Sequence, residues 1–176
     1  LDIHFENAGI SGTIPTRYGL LSNLSTLRLR GLPLSGSIPK ELAEITNMEL
    51  LLLSANDLVG WIPTELGKLT LLTALLASSN LLSGSIPTEL SECTQLDLLS
   101  FRTNNLTGKL PTELGRLTNL TGVSLYENLF SGEIPSEFGL LENIQFMFLD
   151  ENDLTGQIPS ELGNLSGLVE LWVSGN

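Results

Sequence analysis

Residues 117–139 read LTNLTGVSLYENLFSGEIPSEFG, and this stretch decides the fold because its frame returns along the whole chain. Each repeat carries Ile-Pro, or once Leu-Pro, and the prolines are 24 residues apart at Pro15, Pro39, Pro63, Pro87, Pro111, Pro135 and Pro159. Every one has Gly three residues before it and Leu, Phe or Tyr three residues after it. A period in the twenties with apolar residues at fixed positions predicts a solenoid, in which stacked coils bury a shared core.

Alternating apolar positions before each Ile-Pro predict one strand per repeat. In the run Leu51-Leu52-Leu53, only positions 51 and 53 are apolar in every repeat, so these two side chains should point inward and Leu52 outward. Strands one repeat apart must run in the same direction and form a parallel sheet. After each Ile-Pro we predict a short helical turn, with the proline at its first position and a glutamate near the positive end of its dipole.

An asparagine recurs at one position of six repeats, again 24 residues apart: Asn56, Asn80, Asn104, Asn128, Asn152 and Asn176. A buried amide needs hydrogen-bond partners, which the backbone of its own and the adjoining coil can supply. We interpret this series as a structural ladder. Ala8 and Leu32 take the position in the first two repeats, and Pro33 follows Leu32, so those coils are predicted to be less regular.

These positions combine into the pattern LxxLxxLxLxxNxLxGxIPxxLG, which residues 117–139 meet with Val, Phe and Phe at three of its leucine places. The pattern resembles the plant-type leucine-rich repeat, and the resemblance covers the whole chain. It implies an α/β fold: a right-handed superhelical solenoid with a parallel β-sheet on the concave side. It also implies short helical turns on the convex side and a short second strand near Ser-Gly-x-Ile-Pro. The resemblance also implies the common roles of this family, which are ectodomains of receptor-like kinases and receptor-like proteins, and secreted polygalacturonase inhibitors.

The composition is typical of one elongated, ordered domain. The chain has 176 residues, of which 41% are apolar, and no linker or low-complexity tract. We therefore predict a single leucine-rich repeat domain over residues 1–176, with about seven 24-residue repeats. The resemblance implies caps closed by cysteine pairs, but the chain has one cysteine. We expect a fragment that lacks both caps, with any signal peptide, membrane span or kinase domain outside it, and membrane contact only through such segments.

Catalytic chemistry finds almost no support in the sequence. His4 is the only histidine, and Cys93, the only cysteine, occupies an inward leucine position. These residues cannot make a Ser-His-Asp or Cys-His pair, a zinc cluster or a phosphate loop. We expect no enzyme, no catalytic residue, no metal and no cofactor in this segment.

The charge of the chain argues against nucleic acid as a partner and is distributed unevenly. The formal net charge is −12, whereas phosphates require a basic face. No Lys or Arg follows Arg116, although nine acidic residues do. A basic partner for this half and a solvated acidic surface are both compatible with that pattern. Asp150, Glu151 and Asp153 are candidates for Ca²⁺, but they lack the Gly and the spacing of a dedicated loop.

Four Asn-x-Ser/Thr triplets give the evidence about compartment. Their asparagines fall at outward positions and are predicted glycosylation sites, which favours an extracellular or cell-surface protein: Asn23, Asn105, Asn119 and Asn164.

Function is expected on the outward side of the concave sheet, where the repeats align side chains in three columns. Scaffold requirements do not explain leucines and aromatic residues there, and an exposed apolar cluster marks an interaction site. The predicted ligand-binding residues are Leu50, Leu52, Leu76, Leu98, Arg28, Arg30, Arg102, Tyr126, Phe146, Phe148 and Trp172. Arg28 and Arg30 are similar to the Arg-x-Arg element by which some plant peptide-hormone receptors hold a ligand's carboxylate. Two solvated arginines near Glu6 are the alternative.

The sequence as a whole predicts a protein- or peptide-binding module, part of an extracellular receptor ectodomain that senses its ligand on the concave face. A co-receptor is a further expected partner. Two alternatives remain at this point. A secreted inhibitor of a wall-degrading enzyme would lack an attached membrane span, and an intracellular interaction scaffold would lack glycan.

Overall fold

A computed structural model describes all residues 1–176 as stacked coils with fifteen strands and seven 3₁₀ helices. In chain order the strands are β1 Asp2–Glu6, β2 Gly12–Thr13, β3 Thr26–Arg30, β4 Leu34–Ser35, β5 Leu50–Leu52, β6 Val59–Gly60, β7 Ala74–Leu76, β8 Leu81–Gly84, β9 Leu98–Ser100, β10 Asn105–Gly108, β11 Gly122–Ser124, β12 Leu129–Gly132, β13 Phe146–Phe148, β14 Asp153–Leu154 and β15 Glu170–Trp172. The helices are Thr16–Leu20, Lys40–Glu44, Thr64–Lys68, Thr88–Glu92, Thr112–Arg116, Ser136–Leu140 and Ser160–Asn164.

The odd-numbered strands form one eight-stranded parallel sheet in sequence order. Each strand pairs with the strand one repeat away in the register that the repeat spacing predicts. Leu50 pairs with Ala74 and Leu52 with Leu76, for example. The predicted parallel sheet of the leucine-rich repeat solenoid is therefore confirmed. We call its solvent-facing side the concave face.

The even-numbered strands form a second, interrupted set. Strands β6 to β14 make a five-stranded parallel sheet, whereas β2 and β4 pair only with each other. The interruption falls between β4 and β6, although the Asp57 N–H donates to the Leu34 carbonyl at 2.8 Å and the Val59 N–H donates to the Gly36 carbonyl at 2.9 Å across it. Pro33, which takes the position of Asp57 in the second coil, has no N–H to donate to the first coil. This short second strand was expected from the family resemblance.

The helical turns correct one detail of the sequence prediction. We expected each proline at the first helical position, but Pro63 is the N-cap residue, with an extended backbone (φ −62°, ψ 131°), and the helix begins at Thr64. The Pro63 carbonyl accepts a hydrogen bond from the Leu66 N–H at 3.1 Å, which closes a 3₁₀ turn. A glutamate lies in the first turn of all these helices except Thr16–Leu20, as the dipole argument predicts.

A single apolar core runs the length of the stack between the sheet and the helices. It contains 43 buried hydrophobic residues, and Phe101, Phe130 and Phe138 are its largest fully buried side chains. Cys93 lies in it with no exposed surface. None of the helices has the length and hydrophobicity needed to cross a bilayer.

The six repeated asparagines join neighbouring coils through their side chains. Asn80 Nδ2 donates to Leu53 O of the preceding coil at 3.0 Å and to Ala77 O of its own coil at 3.1 Å. Its Oδ1 accepts from the Leu58 backbone N–H at 3.0 Å. Because one amide satisfies three backbone groups in two coils, the series fixes how the coils stack.

The residue before each ladder position has a left-handed backbone, which turns the ladder side chain, an asparagine in six of the eight coils, toward the core. Only two of the eight are glycines; the φ values are between 51° and 68° at Asn7, Gly31, Ala55, Ser79, Thr103, Glu127, Glu151 and Gly175. A left-handed conformation costs a residue with a Cβ about 1 to 2 kcal/mol. The stack therefore contains local strain that packing and the ladder offset.

Candidate ligand-binding site

Two of the predicted columns coincide with the strand register of the concave face. The first joins Leu50, Ala74, Leu98, Gly122 and Phe146, and the second joins Leu52, Leu76, Ser100, Ser124, Phe148 and Trp172. Neighbouring strands lie about 4.8 Å apart. Outward side chains at this spacing cover one another, so the face is a packed surface rather than a set of isolated protruding groups.

The leucine patch, made of Leu50, Leu52, Leu76 and Leu98, spans the three strands β5, β7 and β9. Three of its members are half-buried by their neighbours, and Leu98 is 40% exposed. The Cδ2 atom of Leu98 lies 3.0 Å from the position that a Cβ on Gly122 would take, so Leu98 leans over the glycine. The missing side chain at Gly122 thus lets the leucine patch extend toward Phe146.

The second group, here called the aromatic–acidic surface, comprises Tyr126, Phe146, Phe148, Asp150, Glu170 and Trp172. The rings of Phe148 and Trp172 are 4.9 Å apart at 59°, and those of Phe146 and Phe148 are 6.2 Å apart at 34°. These tilted arrangements are favourable for aromatic pairs. Phe146 remains 37% exposed and Trp172 51% exposed, so the aromatic cluster offers more apolar surface than the leucine patch.

Two polar atoms on this part of the concave face have no partner within the protein. They are the hydroxyl oxygen of Ser124 and the Oδ1 atom of Asp150, and both are buried. Unpaired polar atoms that are withdrawn from solvent are destabilising, so each is a candidate contact point for a bound molecule.

Arg102 and Tyr126 interact directly with each other on neighbouring coils. The guanidinium donates a hydrogen bond to the tyrosine hydroxyl, and its central carbon is 5.4 Å from the ring centroid. This cation–π contact holds both side chains at the edge of the concave face.

The two N-terminal arginines have different surroundings. Arg30 is exposed and its Nη1 lies 3.7 Å from Glu6 Oε1, whereas Arg28 is half-buried and makes no ion pair. His4 also contacts Glu6, at 3.2 Å. Glu6 therefore neutralises part of the positive charge at this end of the face.

The remaining predicted residues lie away from the concave face. All four sequon asparagines are exposed, and Asn119 Nδ2 also donates to Thr94 O at 2.9 Å. No cluster of three or more His, Cys, Asp or Glu side chains is arranged to hold a metal ion. Burial, and secondarily the charge of Glu92, raises the pKa of the Cys93 thiol from its ordinary 9.0 to about 11, so this thiol is not a nucleophile at neutral pH.

The sequence analysis missed one surface residue, Trp61. It is 75% exposed beside an open groove of ≈ 1340 Å³ between the second strands and the helical turns, with Ile38, Ile62 and Pro63 among its lining residues. The signal was available, because Trp61 precedes Ile-Pro, where every other repeat has Thr, Ser, Lys, Glu or Gln. We call this the flank groove.

Comparison with known proteins identifies a protein family and solved structures to which the chain is similar. The profile of the Leucine Rich Repeat family matches residues 143–165. No curated protein sequence matches the chain. Solved structures match it along almost its whole length.

Three of these structures illustrate the likeness. The ectodomain of the plant membrane receptor kinase GASSHO1/SCHENGEN3 from Arabidopsis thaliana, solved with CASPARIAN STRIP INTEGRITY FACTOR 2, is 34% identical over 96% of this chain and 23% of its own, with a TM-score of 0.81. The Arabidopsis HAESA ectodomain, solved with an N-terminally extended IDA peptide hormone, is 35% identical over 91% of this chain and 27% of its own, with a TM-score of 0.85. Pollen Receptor Kinase 3 is 31% identical over 88% of this chain and 75% of its own, with a TM-score of 0.80. The chain thus spans 23% of the GASSHO1/SCHENGEN3 ectodomain but three-quarters of the last structure.

Proposed function

Since this chain belongs to the plant-type leucine-rich repeat family of the receptor-kinase ectodomains, we propose that it is the ligand-recognition segment of an extracellular receptor and binds a peptide or protein on its concave face. The observation that carries this proposal is the apolar side chains on the solvent side of the eight-stranded sheet. A scaffold requires apolar residues only on the inward side, so Leu52 and Phe148 need another explanation.

Relatives in complex with ligands support the same use of the fold. PEPR1 is solved with AtPEP1, and HAESA is solved with the peptide hormone IDA and the co-receptor SERK1. We extend to this chain the class of partner, a peptide ligand, and a co-receptor as a second partner. The proposal assigns the segment a binding role and no catalysis.

The energetics favour the aromatic–acidic surface as the stronger part of the site. Full burial of a leucine contributes about 1.5 to 3 kcal/mol, but the half-buried Leu50, Leu52 and Leu76 retain only part of that gain. Association costs about 4 to 15 kcal/mol. The leucine patch alone therefore supports weak binding, and exposed Trp172 and Phe146 serve as the anchors that tight recognition requires.

The extracellular assignment also rests on the four sequons. Asn23, Asn105, Asn119 and Asn164 are exposed and lie off the concave face, so glycans on them would leave that face open. We propose that they are glycosylated during secretion.

Photocrosslinking tests where the chain binds. Peptides are selected on the chain from a random dodecapeptide library, resynthesised with benzophenone-alanine, irradiated with the protein and mapped by mass spectrometry. The proposal expects crosslinks to concave-face residues such as Leu98 and Phe146. Crosslinks confined to the flank groove around Trp61 would contradict it, since the chain would then bind peptides on another surface.

A further inference from the structure

The flank groove lies on a different surface from the concave face. It crosses four coils, from Thr13 to Glu89, and Trp61 in the third coil is the one aromatic side chain that lines it. The indole leans over the next coil, where its Cδ1 atom lies 2.8 Å from the position that a Cβ on Gly84 would take. Because Gly84 has no side chain, the ring lies along the groove and remains 75% exposed.

The repeat does not require a tryptophan at this place. Ser37 and Ser85 take the same position in the coils on either side, and both are exposed. Lys109, Glu133 and Gln157 take it in the later coils, where a second groove of ≈ 850 Å³ has no aromatic lining residue. A large apolar side chain that the scaffold does not use, placed within a groove, marks a binding site.

A row of carboxylates lines the groove beside Trp61. Glu41, Glu65 and Glu89 follow the prolines of three successive coils, and Lys40 is the only basic residue among the lining side chains. The Oε2 atoms of Glu65 and Glu89 accept hydrogen bonds from the preceding threonines at 3.3 and 3.4 Å, which leaves their Oε1 atoms available. Such acceptors favour a ligand that carries many hydroxyl donors, and their negative charge disfavours an anionic one.

The spacing of the coils favours an extended glycan over a peptide. Side chains in the groove recur with the paired second strands, about every 4.8 Å. An extended peptide repeats its side-chain direction every second residue, about 6.8 Å, and so falls out of step with the coils. Strands β6 and β8 also pair with each other, so no open strand edge is offered to a peptide between them. One pyranose unit of an extended glycan advances by close to one coil, and its C–H groups pack on the negative face of an aromatic ring.

We propose that the flank groove binds a neutral oligosaccharide in an extended, β-1,4-linked form. One pyranose ring lies against Trp61, and ligand hydroxyl groups donate to Glu65 and Glu89. The ligand is a separate molecule that crosses the coils along the groove. This site is independent of peptide recognition on the concave face, so a peptide and a glycan do not compete.

A fluorescence titration tests the site with probes of defined chemistry. Trp172→Phe leaves Trp61 as the only tryptophan. Cellohexaose and maltohexaose share their composition and differ in linkage, hexagalacturonate is anionic, and acetyl-Gly-Arg-Gly-Arg-amide represents a basic peptide. We expect a saturable change in Trp61 fluorescence with cellohexaose, and an affinity at least about tenfold weaker for each of the other three probes.

Two glutamate pairs separate the groove from the general charge of the surface. In the same background, Glu65→Gln with Glu89→Gln should weaken cellohexaose binding about tenfold, because charge-assisted hydrogen bonds become neutral ones. The matched control is Glu137→Gln with Glu161→Gln, at the same repeat position in later coils and with the same hydrogen bond from the preceding residue. Either pair changes the net charge of −12 by the same two units, and the control should leave the affinity unchanged.

The role of the indole is measured without its fluorescence. Native electrophoresis through a gel that contains hydroxyethylcellulose should retard the wild-type protein, and Trp61→Ala should abolish the retardation. Leu140→Ala, which also removes an exposed apolar side chain but lies outside the groove, should retain it. The circular dichroism of both variants should match that of the wild type, since neither side chain is part of the core.

Four results would overturn the inference: no saturable response to cellohexaose, an equal affinity for maltohexaose, a higher affinity for the basic peptide, or equal effects of the two glutamate pairs. Retardation that persists in folded Trp61→Ala would do the same. The proposed function is decided separately, by the position of the peptide crosslinks.

Discussion

Asn104 donates a side-chain hydrogen bond to the carbonyl oxygen of Ala77, in the preceding coil, at 3.1 Å. The same amide donates to Phe101 O in its own coil at 2.9 Å and accepts from the Leu82 backbone N–H at 2.9 Å. Two coils are thus joined through one side chain, and the alignment of the concave columns depends on such joints.

Replacement of Asn104 by Leu should lower the free energy of unfolding by about 1 to 3 kcal/mol, because three backbone groups lose their partner. Denaturant unfolding followed by circular dichroism measures this change. Asn105→Ser is the control. Its side chain is exposed and makes no hydrogen bond, so we expect a change within about 0.5 kcal/mol. Equal effects of both substitutions would show that the ladder is not structural.

Ala55→Gly should stabilise the protein. Ala55 is exposed and has φ 59°, so the substitution removes the cost of a Cβ in the left-handed region, about 1 to 2 kcal/mol, and adds about 0.5 to 1 kcal/mol of chain entropy cost. Ala8→Gly, at a position without positive φ, should destabilise instead. The midpoints of thermal unfolding of the two variants measure these effects. A lower midpoint for both variants than for the wild type would mean that the left-handed turn stores no strain.

Cys93 should react slowly with thiol reagents in the folded protein and rapidly after denaturation, because it is fully buried. Burial raises its pKa from 9.0 to about 11, so in that interval the unfolded chain has already lost the proton that the folded chain retains. The stability tied to this thiol is complete below pH 9 and is lost as the pH rises toward about 11. Cys93→Ala should reduce that dependence, and fast labelling of the native protein would disprove the inward assignment.

The sequence predicted the repeat, the direction of the strands and the face of each residue, because Pro, Gly and Leu at fixed spacing determine the phase of every coil. It did not predict how much of each outward side chain is covered by its neighbours. Leu52 is half-buried by strands on both sides, and Arg102 pairs with Tyr126 one coil away. Those properties depend on the lateral distance between strands, and the period of the sequence repeat does not give that distance.

Other features were visible in the sequence but were not used or were misread. Trp61 breaks a polar series, and we assigned it no role. We placed the prolines one residue too far into the helices, because fixed φ is compatible with both positions and only the extended ψ of Pro63 distinguishes them.

The arginine pair gives a prediction about the ligand terminus. If Arg28 and Arg30 hold a carboxylate, amidation of selected peptides that have a free C-terminus should weaken binding at least about tenfold, measured by fluorescence anisotropy. Arg28→Gln with Arg30→Gln should abolish the difference between acid and amide, and Arg17→Gln with Arg116→Gln should retain it. An affinity unchanged by amidation would reject the role and leave Arg30 as a partner of Glu6 alone.

The most direct test of recognition on the concave face is the affinity of library-selected dodecapeptides for Leu52→Glu with Leu76→Glu, measured by calorimetry. Both side chains face outward in paired strands, so the variant should keep the circular dichroism of the wild type and lose the binding. Leu71→Glu with Leu140→Glu is the matched control, because these exposed leucines lie off the sheet, and it should bind normally. A folded Leu52→Glu, Leu76→Glu protein that binds the peptides as tightly as the wild type would contradict the account.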